Sequence, residues 1–577
     1  ATVTDVVSPV TFFEVLQDKA RLLEIRYYST GEQKWLEGSF RARLLAVQTA
    51  SYIKNNFDND EASLFFNENI HDLFKAAALQ AAALYNSTGK PAFLDSFLLV
   101  TEHYKGSVLH RNRTLAYIKS NKLLPDSLLL REDELKQSLA VYTTRLNNSV
   151  GEENTQLVRR RITAIQVDLP RPHRQYESFP AFTAFQNPNA VLLTAVDTLQ
   201  KKMDAQTAVL QYFWCDTVLL CLAVTQTEVT LQTSPLTASF LAALDTALTT
   251  LYQTEEGRRF EGYGALATLY RRLTAGLPAT VKDSKRWIVL PAGRLHSLPL
   301  KTLVTREPPR RFLAQEHTTG YHYSFTLLFS RAGVAPANGS LLAMAPFSRS
   351  GARINGARFE ALPYSGDEIR ATEGTLLEDS SALRSRFLQE AGRRSVLHLA
   401  THARADADST GQLGTYIQFY HHPGQNPEAG RLSLHDLCQL RWSHHPLVVL
   451  SACETAVGRS SQSEGLLSLA RGFLYAGSRG IISSLWKADD QVTAYLMQRT
   501  HQYLQKGRQP ADALQAARND FLNDADVDVR LKSPSYWGNF IYVGHHAFSP
   551  ASRLPGIFLP AALVLLLGLG WWLYRRN

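Results

Sequence analysis

Pro446-Leu447-Val448-Val449-Leu450-Ser451-Ala452-Cys453-Glu454-Thr455 joins five apolar or β-branched residues without polar alternation to small residues and a cysteine. Such a run is expected to form a central strand buried on both faces. In an open parallel sheet, ligands and catalysis sit at the carboxyl end of such strands. Ser395-Val396-Leu397-His398-Leu399-Ala400 is a second strand of this kind, and Thr401-His402-Ala403 follows it. Each strand therefore delivers one reactive side chain at its carboxyl end, and Cys453 and His402 are expected to meet. His398 points to the same face as His402 but lies about 13 Å back along the strand, which predicts a core or hydrogen-bonded histidine.

His402 precedes Cys453 by 51 residues, close to the roughly 50 that separate a caspase histidine from its cysteine. Around this pair, four segments occur in order: 398–402 (His-Leu-Ala-Thr-His), 449–455 (Val-Leu-Ser-Ala-Cys-Glu-Thr), 463–473 (Ser-Glu-Gly-Leu-Leu-Ser-Leu-Ala-Arg-Gly-Phe) and 484–490 (Ser-Leu-Trp-Lys-Ala-Asp-Asp). Together they resemble the CHAT domain, the caspase-like peptidase family found beside tetratricopeptide repeats, over roughly residues 208–544. The resemblance implies an α/β caspase-like doubly wound sheet with a catalytically silent first half, 208–345, and a catalytic half, 346–548. It implies Cys453 as nucleophile, His402 as base, and the backbone N–H groups of Cys453 and Ala403 as oxyanion hole. His296, in the silent half, is then structural.

One residue departs from the family pattern. Glycine usually follows the second histidine, and this chain has Ala403. Alanine keeps the N–H but restricts positive φ, so the hole requires an ordinary backbone region there. In the resembled superfamily the pocket for the residue before the scissile bond lies near the strand after the cysteine. Trp486, Asp489 and Asp490 fall there, and Glu464 opens the preceding helix. A carboxylate in such a pocket would favour Arg or Lys. The competing roles are a helix cap for Asp489 or Asp490 and support of a first helical turn for Glu464.

The chain has 577 residues, too many for one core, and about 150 per domain suggests three or four units. Residues 1–170 read as helical, with Leu16, Ala20, Leu23 and Tyr27, and Leu73, Ala77, Ala81 and Leu84, at helical spacing. Ser29-Thr30-Gly31 before Trp35-Leu36-Glu37 recurs as Ser87-Thr88-Gly89 before Phe93-Leu94-Asp95, at an offset of 58. In each copy a helix ends at glycine and the next begins with an aromatic anchor. The offset is not a multiple of ~34, so the array is tetratricopeptide-like but degenerate. It is either a packing domain that caps the catalytic unit or a solenoid that binds a protein partner. Residues 125–168 read as a polar helical pair with a stripe of Leu130, Leu135, Leu139 and Tyr142. Asp168-Leu169-Pro170-Arg171-Pro172-His173 reads as a linker, so 171–207 is a linker and helix.

From residue 208 the period becomes that of strands, at 208–213, 217–224, 228–232, 287–291 and 341–346, with a helix over 237–252. Helices alternating with strands up to Cys453 argue for a doubly wound sheet. Beyond it, Ser463 is expected to cap a helix bearing Leu466, Leu467, Leu469, Ala470, Phe473 and Leu474, ended by Gly477. A strand at 480–486, a helix striped by Val492, Tyr495, Leu496, Arg499 and Tyr503, a helix begun by Pro510, and a closing strand at 536–544 follow.

The formal charge is +9, but the basic residues are scattered. The runs Arg159-Arg160-Arg161 and Arg310-Arg311 lack interleaved aromatics, which argues for a solvated surface over nucleic acid. Cys215, Cys221, Cys438 and Cys453 are too few for a disulfide framework and have no zinc-like spacing. With no glycine-rich phosphate loop and no metal cluster, no cofactor or metal is expected. Residues 554–574 carry no charge between Arg553 and Arg575. Their length suits the ~20 residues that cross a bilayer, and Trp571-Trp572-Leu573-Tyr574 supplies an interfacial belt. A transmembrane helix and a basic tail, 575–577, are therefore expected.

The expected function is a membrane-anchored cysteine endopeptidase with a His402/Cys453 dyad. It would act on a protein or peptide, regulated through its helical region in a signalling or defence pathway. The rival is a catalytically impaired signalling scaffold on the same fold. Arg575 and Arg576 against Arg553 favour a cytoplasmic tail and an external catalytic domain. That topology needs an export signal, with which a start at Ala1 is compatible. The charge difference is a single residue, the resembled family is associated with intracellular signalling, and a tail anchor leaves the large domain in the cytoplasm. A membrane-impermeant thiol reagent should therefore label the protein only in opened cells; labelling of intact cells would assign the external face.

Overall fold

The computed structural model describes residues 8–548 except 56–59, 121–122, 148–151, 169, 177, 181–191, 254–258, 331–339, 355, 371–372, 405–414, 423, 443–444, 453–458, 462–464, 468 and 488. Among the described residues no helix is long and apolar enough to cross a membrane; the expected span, 554–574, lies outside them.

The amino-terminal part is helical: α1 Pro9–Thr30, α2 Gln33–Asn55, α3 Asp60–Asn69, α4 His71–Thr88, α5 Ala92–Tyr104, α6 Ser107–Ser120, α7 Asp126–Asn147, α8 Glu152–Asp168 and α9 Pro170–Tyr176. The repeat seen at an offset of 58 is a repeat of structure. Gly31 and Gly89 end α1 and α4 at φ 70° and 65°, a left-handed conformation that costs glycine little. Their N–H groups donate to the Tyr27 and Tyr85 carbonyls, each at 2.8 Å. Thr30 and Thr88 hydroxyls donate back to Arg26 O and Leu84 O. The aromatic anchors Trp35 and Phe93 are half-buried, while Leu36 with Phe40 and Leu94 with Leu98 are buried.

Two expectations for 125–173 are corrected. Leu130 is 64% exposed and only Leu135, at 7%, is buried from the proposed stripe among the residues whose side chains are described. The proline-bearing linker forms α9, because proline in the first helical turn lacks only an N–H that has no intrahelical partner there. Tyr176 on α9 donates to Glu132 Oε2 on α7 at 2.5 Å, which closes a small satellite core with Ile118 and Leu124.

The strands of the main sheet are β1 Thr207–Trp214, β2 Val218–Val224, β3 Val229–Pro235, β4 Arg286–Leu290, β5 Thr318–Tyr321, β6 Leu341–Ala345, β7 Thr375–Glu378, β8 Val396–Ala400, β9 Leu447–Ser451, β10 Gly480–Ser484 and β11 Phe540–Gly544. Their order is β7-β6-β8-β9-β10-β11-β5-β4-β1-β2-β3. The sheet is mixed, which corrects the doubly wound expectation for its first half. Only short turns join β1, β2 and β3, closed by Cys215 N–H to Val218 O and Thr225 N–H to Glu228 O. Such turns permit only antiparallel pairing. From β7 to β10 every pair is parallel, and β11 returns antiparallel to β10.

Three later elements also differ from expectation. The helix after the cysteine spans Leu469–Tyr475, because 465–467 pairs as a strand with 459–461 and so has ladder partners instead of a first helical turn. Gly477 ends it at φ 101°, and Ser463 lies outside the described residues. Tyr536 and Trp537 belong to a helical turn, Pro534–Trp537, started by its proline, so the closing strand begins at Phe540. On the helix Asp490–Gln505 the buried stripe is Val492, Leu496, Met497, Thr500 and His501, and Arg499 faces solvent.

Two layers cover the first half of the sheet, which explains its unbroken apolar strands. Val209 and Phe213 of β1, with Ile288 and Leu290 of β4, pack into a core shared with Leu16, Phe74, Phe97 and Tyr104 of the helical part. The alternate residues Leu210, Tyr212, Trp287 and Val289 face Phe240, Leu244 and Leu266. Polar groups bind the same junction. Lys105, just past α5, donates to the carbonyls of Tyr212, Leu290 and Pro291 at 2.8–2.9 Å. Burial pushes its pKa down to about 7. Buried Glu102 accepts from the N–H groups of Phe325 and Thr326 at 2.9 and 2.7 Å. Lys105→Met should cost about 3 kcal/mol by orphaning buried carbonyls, read as a lower urea midpoint at unchanged slope; an unchanged midpoint would contradict this docking.

Candidate active site

β8 and β9 run side by side with Ala400 opposite Ser451. Thr401 N–H continues the ladder by donating to Ser451 O at 3.0 Å. The next carbonyl, Ala452 O, accepts from Ser484 Oγ of β10 at 2.5 Å. Three parallel strands thus hold the approach to Cys453, which itself lies outside the described residues, as does Glu464. Beyond Thr401 the chain turns into a short strand, His402–Arg404, antiparallel to Tyr416–Gln418.

His402 is half-buried and tightly oriented. Its Nε2 is 2.7 Å from Glu360 O. A carbonyl can only accept, so Nε2 carries the proton and Nδ1 keeps its lone pair. Phe347 meets the imidazole edge-on at 5.1 Å, Phe359 lies tilted to it at 5.6 Å, and these two phenyl rings stack on each other. Burial lowers the pKa of the ring; the Glu360 carbonyl and the charge of Asp490 oppose this, and Lys487 adds to it. The resulting neutral imidazole with a free Nδ1 suits a general base.

Ala403 lies in the extended segment, and the non-glycine residues at positive φ among those described are Asp379 and His445. Its backbone is one that alanine adopts without strain. Asp489 is the N-cap of Asp490–Gln505 and accepts from Val492 N–H at 2.9 Å. Asp490 remains open to solvent. Partial burial and then the neighbouring charge of Asp489 raise its pKa, opposed by Lys487. Trp486 is buried, donates to Ser535 O at 2.8 Å and packs on Tyr252 at 4.9 Å. An indole held there joins the two halves of the sheet and does not line an open pocket. His296 is bound through Nδ1 to Gly293 O at 2.8 Å within its own turn, a structural placement.

The aromatic cradle of Phe347 and Phe359 and the Glu360 carbonyl escaped sequence reasoning, as did Glu368, described below. They come from the segment after β6, and no periodicity ties them to His402. The small hairpin 352–354 with 357–359 delivers Phe359 and Glu360 to the ring.

Residues 264–545 match the family model of the CHAT domain, which supports the CHAT and caspase-like reading of this part of the chain. No curated protein matches the sequence. Two crystal structures of the Saccharomyces cerevisiae separase–securin complex, at 3.0 and 2.6 Å resolution, are similar at 8% and 9% identity, with TM-scores of 0.39 and 0.40. The matches cover 94% of this chain and 47% and 48% of those chains, so this chain spans about half their length.

The division of labour between the two aspartates is measurable. Asp489→Ala should lower stability by about 1 kcal/mol, the usual worth of an N-cap, whereas Asp490→Asn should leave the thermal midpoint unchanged. Equal losses in both variants would contradict the assignment of the cap to Asp489.

Proposed function

We propose that the protein is a caspase-like cysteine endopeptidase with Cys453 as nucleophile and His402 as general base, held at a membrane by residues 554–574. The register of β8 and β9 carries this reading: 51 residues separate Ala400 from its partner Ser451, and 51 separate His402 from Cys453. Continuing the pairing by two residues would bring the dyad together.

A free thiol, pKa about 8.5, is mostly protonated at neutral pH. His402 Nδ1 takes the proton from Cys453 Sγ, and the sulfur attacks the peptide carbonyl. The N–H groups of Cys453 and Ala403 hold the oxyanion. Collapse expels the amine, which takes the proton from His402 Nδ1, and leaves a thioester; water, activated by the same nitrogen, releases the acid and restores the thiol. The unstrained backbone of Ala403 supports the peptidase over the scaffold. Asp490, an acidic side chain near His402 that is not used as a cap, is the group proposed to prefer Arg or Lys before the cut; Glu360, the other, is paired with Arg358. Docked on the first half of the sheet, the helical part would pass a partner's binding to the catalytic half.

A peptide-based thiol probe should label the wild type and neither Cys453→Ala nor His402→Ala; labelling of Cys453→Ala at the wild-type rate would remove the assignment. Cleavage profiling should return a basic residue before the cut, weakened in Asp490→Asn. Apolar or acidic residues there would exclude Asp490 as the specificity group.

A further inference from the structure

Beneath the strand ends lies a cluster of titratable side chains that the proposed chemistry leaves unused. His398 is fully buried on β8. Its Nε2 is 2.8 Å from Glu368 Oε1, and its Nδ1 is 2.8 Å from His501 Nε2, with the two imidazoles stacked at 4.8 Å. Ser451 Oγ donates to the other carboxyl oxygen, Glu368 Oε2, at 3.2 Å. All four side chains are under one-tenth exposed. They come from four elements: helix Pro363–Arg370, β8, β9 and helix Asp490–Gln505. Two of them stand close to the proposed dyad in sequence, His398 four residues before His402 and Ser451 two before Cys453.

We propose that Glu368, His398 and His501 are positioning residues: a neutral hydrogen-bonded chain of fixed polarity that locks the strand bearing His402 against the strand bearing Cys453. In this chain the Glu368 carboxyl donates to His398 Nε2, His398 Nδ1–H donates to His501 Nε2, and Ser451 donates to the second Glu368 oxygen. Each of these three protons has an acceptor and no net charge is buried. An ionised Glu368 would instead place an uncompensated charge in the core, which is costly. Among the described residues no lysine or arginine bonds it. The groups facing it agree. From β8 it meets His398, from β9 Ser451, and from the fourth element the charge of Asp490, a further carboxylate. On its own helix, Asp367 and Arg370 pair with each other at the surface. β6 presents Ala343 beside His398. Burial raises the Glu368 carboxyl to about 8 and lowers both imidazoles, His398 to about 3.

Polarity has a spectroscopic signature. With Glu368 protonated, both imidazoles carry their proton on Nδ1; ionising Glu368 forces both to the Nε2–H tautomer. The stability sign is also set. A carboxyl that keeps its proton in the fold above its ordinary pKa of about 4.3 contributes stability that is lost as pH rises toward about 8. The lowered imidazoles act the opposite way, and their contribution is complete by about pH 6.5. Within this cluster the interval between about 6.5 and 8 belongs to Glu368; Lys105, lowered to about 7, acts in the opposite sense there, so Glu368 is read from the difference between wild type and Glu368→Gln.

The proposal rests on the His402/Cys453 reading for its functional meaning, while the tautomers do not. Nitrogen-15 NMR of histidine-labelled full chain, assigned with His501→Gln, should give Nδ1–H tautomers for His398 and His501 at neutral pH, converting above pH 8. Nε2–H tautomers at neutral pH would overturn the proposed polarity. Glu368→Gln, whose amide donates and accepts in the same directions, should keep these tautomers at all pH, and its unfolding midpoint should rise relative to that of wild type across that interval. Alkylation of Cys453 by iodoacetamide should stay within about twofold of wild type in Glu368→Gln and slow at least about tenfold in Glu368→Ala. Wild-type rates in Glu368→Ala would overturn the positioning role. Failure of the peptide probe to label wild type would strike the peptidase reading and leave the tautomers unaffected.

Discussion

The parallel pairing of β8 with β9 is the constraint on which the rest depends. In a sheet buried on both faces a one-residue slip exchanges the side chains of the two faces, so its register must be defended. The Thr401 N–H does so at the strand end. Inside the sheet the defence is the Glu368 carboxyl, which reaches His398 on one strand and Ser451 on the other. From the far side Ser484 holds the Ala452 carbonyl. Hydrogen bonds of this kind have a directional requirement that apolar packing lacks, and removing one partner leaves the other buried and unsatisfied.

The two halves of the sheet use their carboxyl ends differently. In the first half Lys105 from the helical part takes up carbonyls near the end of β1 and at the end of β4, those of Tyr212, Leu290 and Pro291. In the second half the ends of β8 and β9 lead into His402 and toward Cys453. The sheet of the first half shares a core with the helical array on one side and with its own helices on the other. An array anchored this way cannot swing free without exposing Lys105 and Glu102. Motion of α5 would therefore be felt at β4 and at the helix Phe325–Phe329.

Much of this was legible in the residues. Unbroken apolar runs identified β8 and β9, and the period of two placed His398 in the core, where it is found. The glycines at 31 and 89 marked helix ends because the positive φ they adopt is costly for other residues. Asp489 as a helix cap was readable from its position before an apolar stripe. Other features were not legible, for physical reasons. Strand direction in β1–β3 depends on connection length. Proline at 170 and 534 reads as a breaker and a first-turn residue alike. Trp486 has the same composition whether it lines a pocket or bridges two half-sheets. The His402 cradle is assembled from Phe347, Phe359 and the Glu360 carbonyl, about 40–55 residues earlier, and a backbone acceptor leaves no trace in residue identity.

The proposed role of His402 is to serve Cys453 as a base. The most direct measurement is the rate of Cys453 alkylation as a function of pH. An inflection below the ~8.5 of a free thiol is expected in the wild type, returning to that value or above in His402→Ala. An inflection at or above the free-thiol value in wild type, unmoved by His402→Ala, would contradict it.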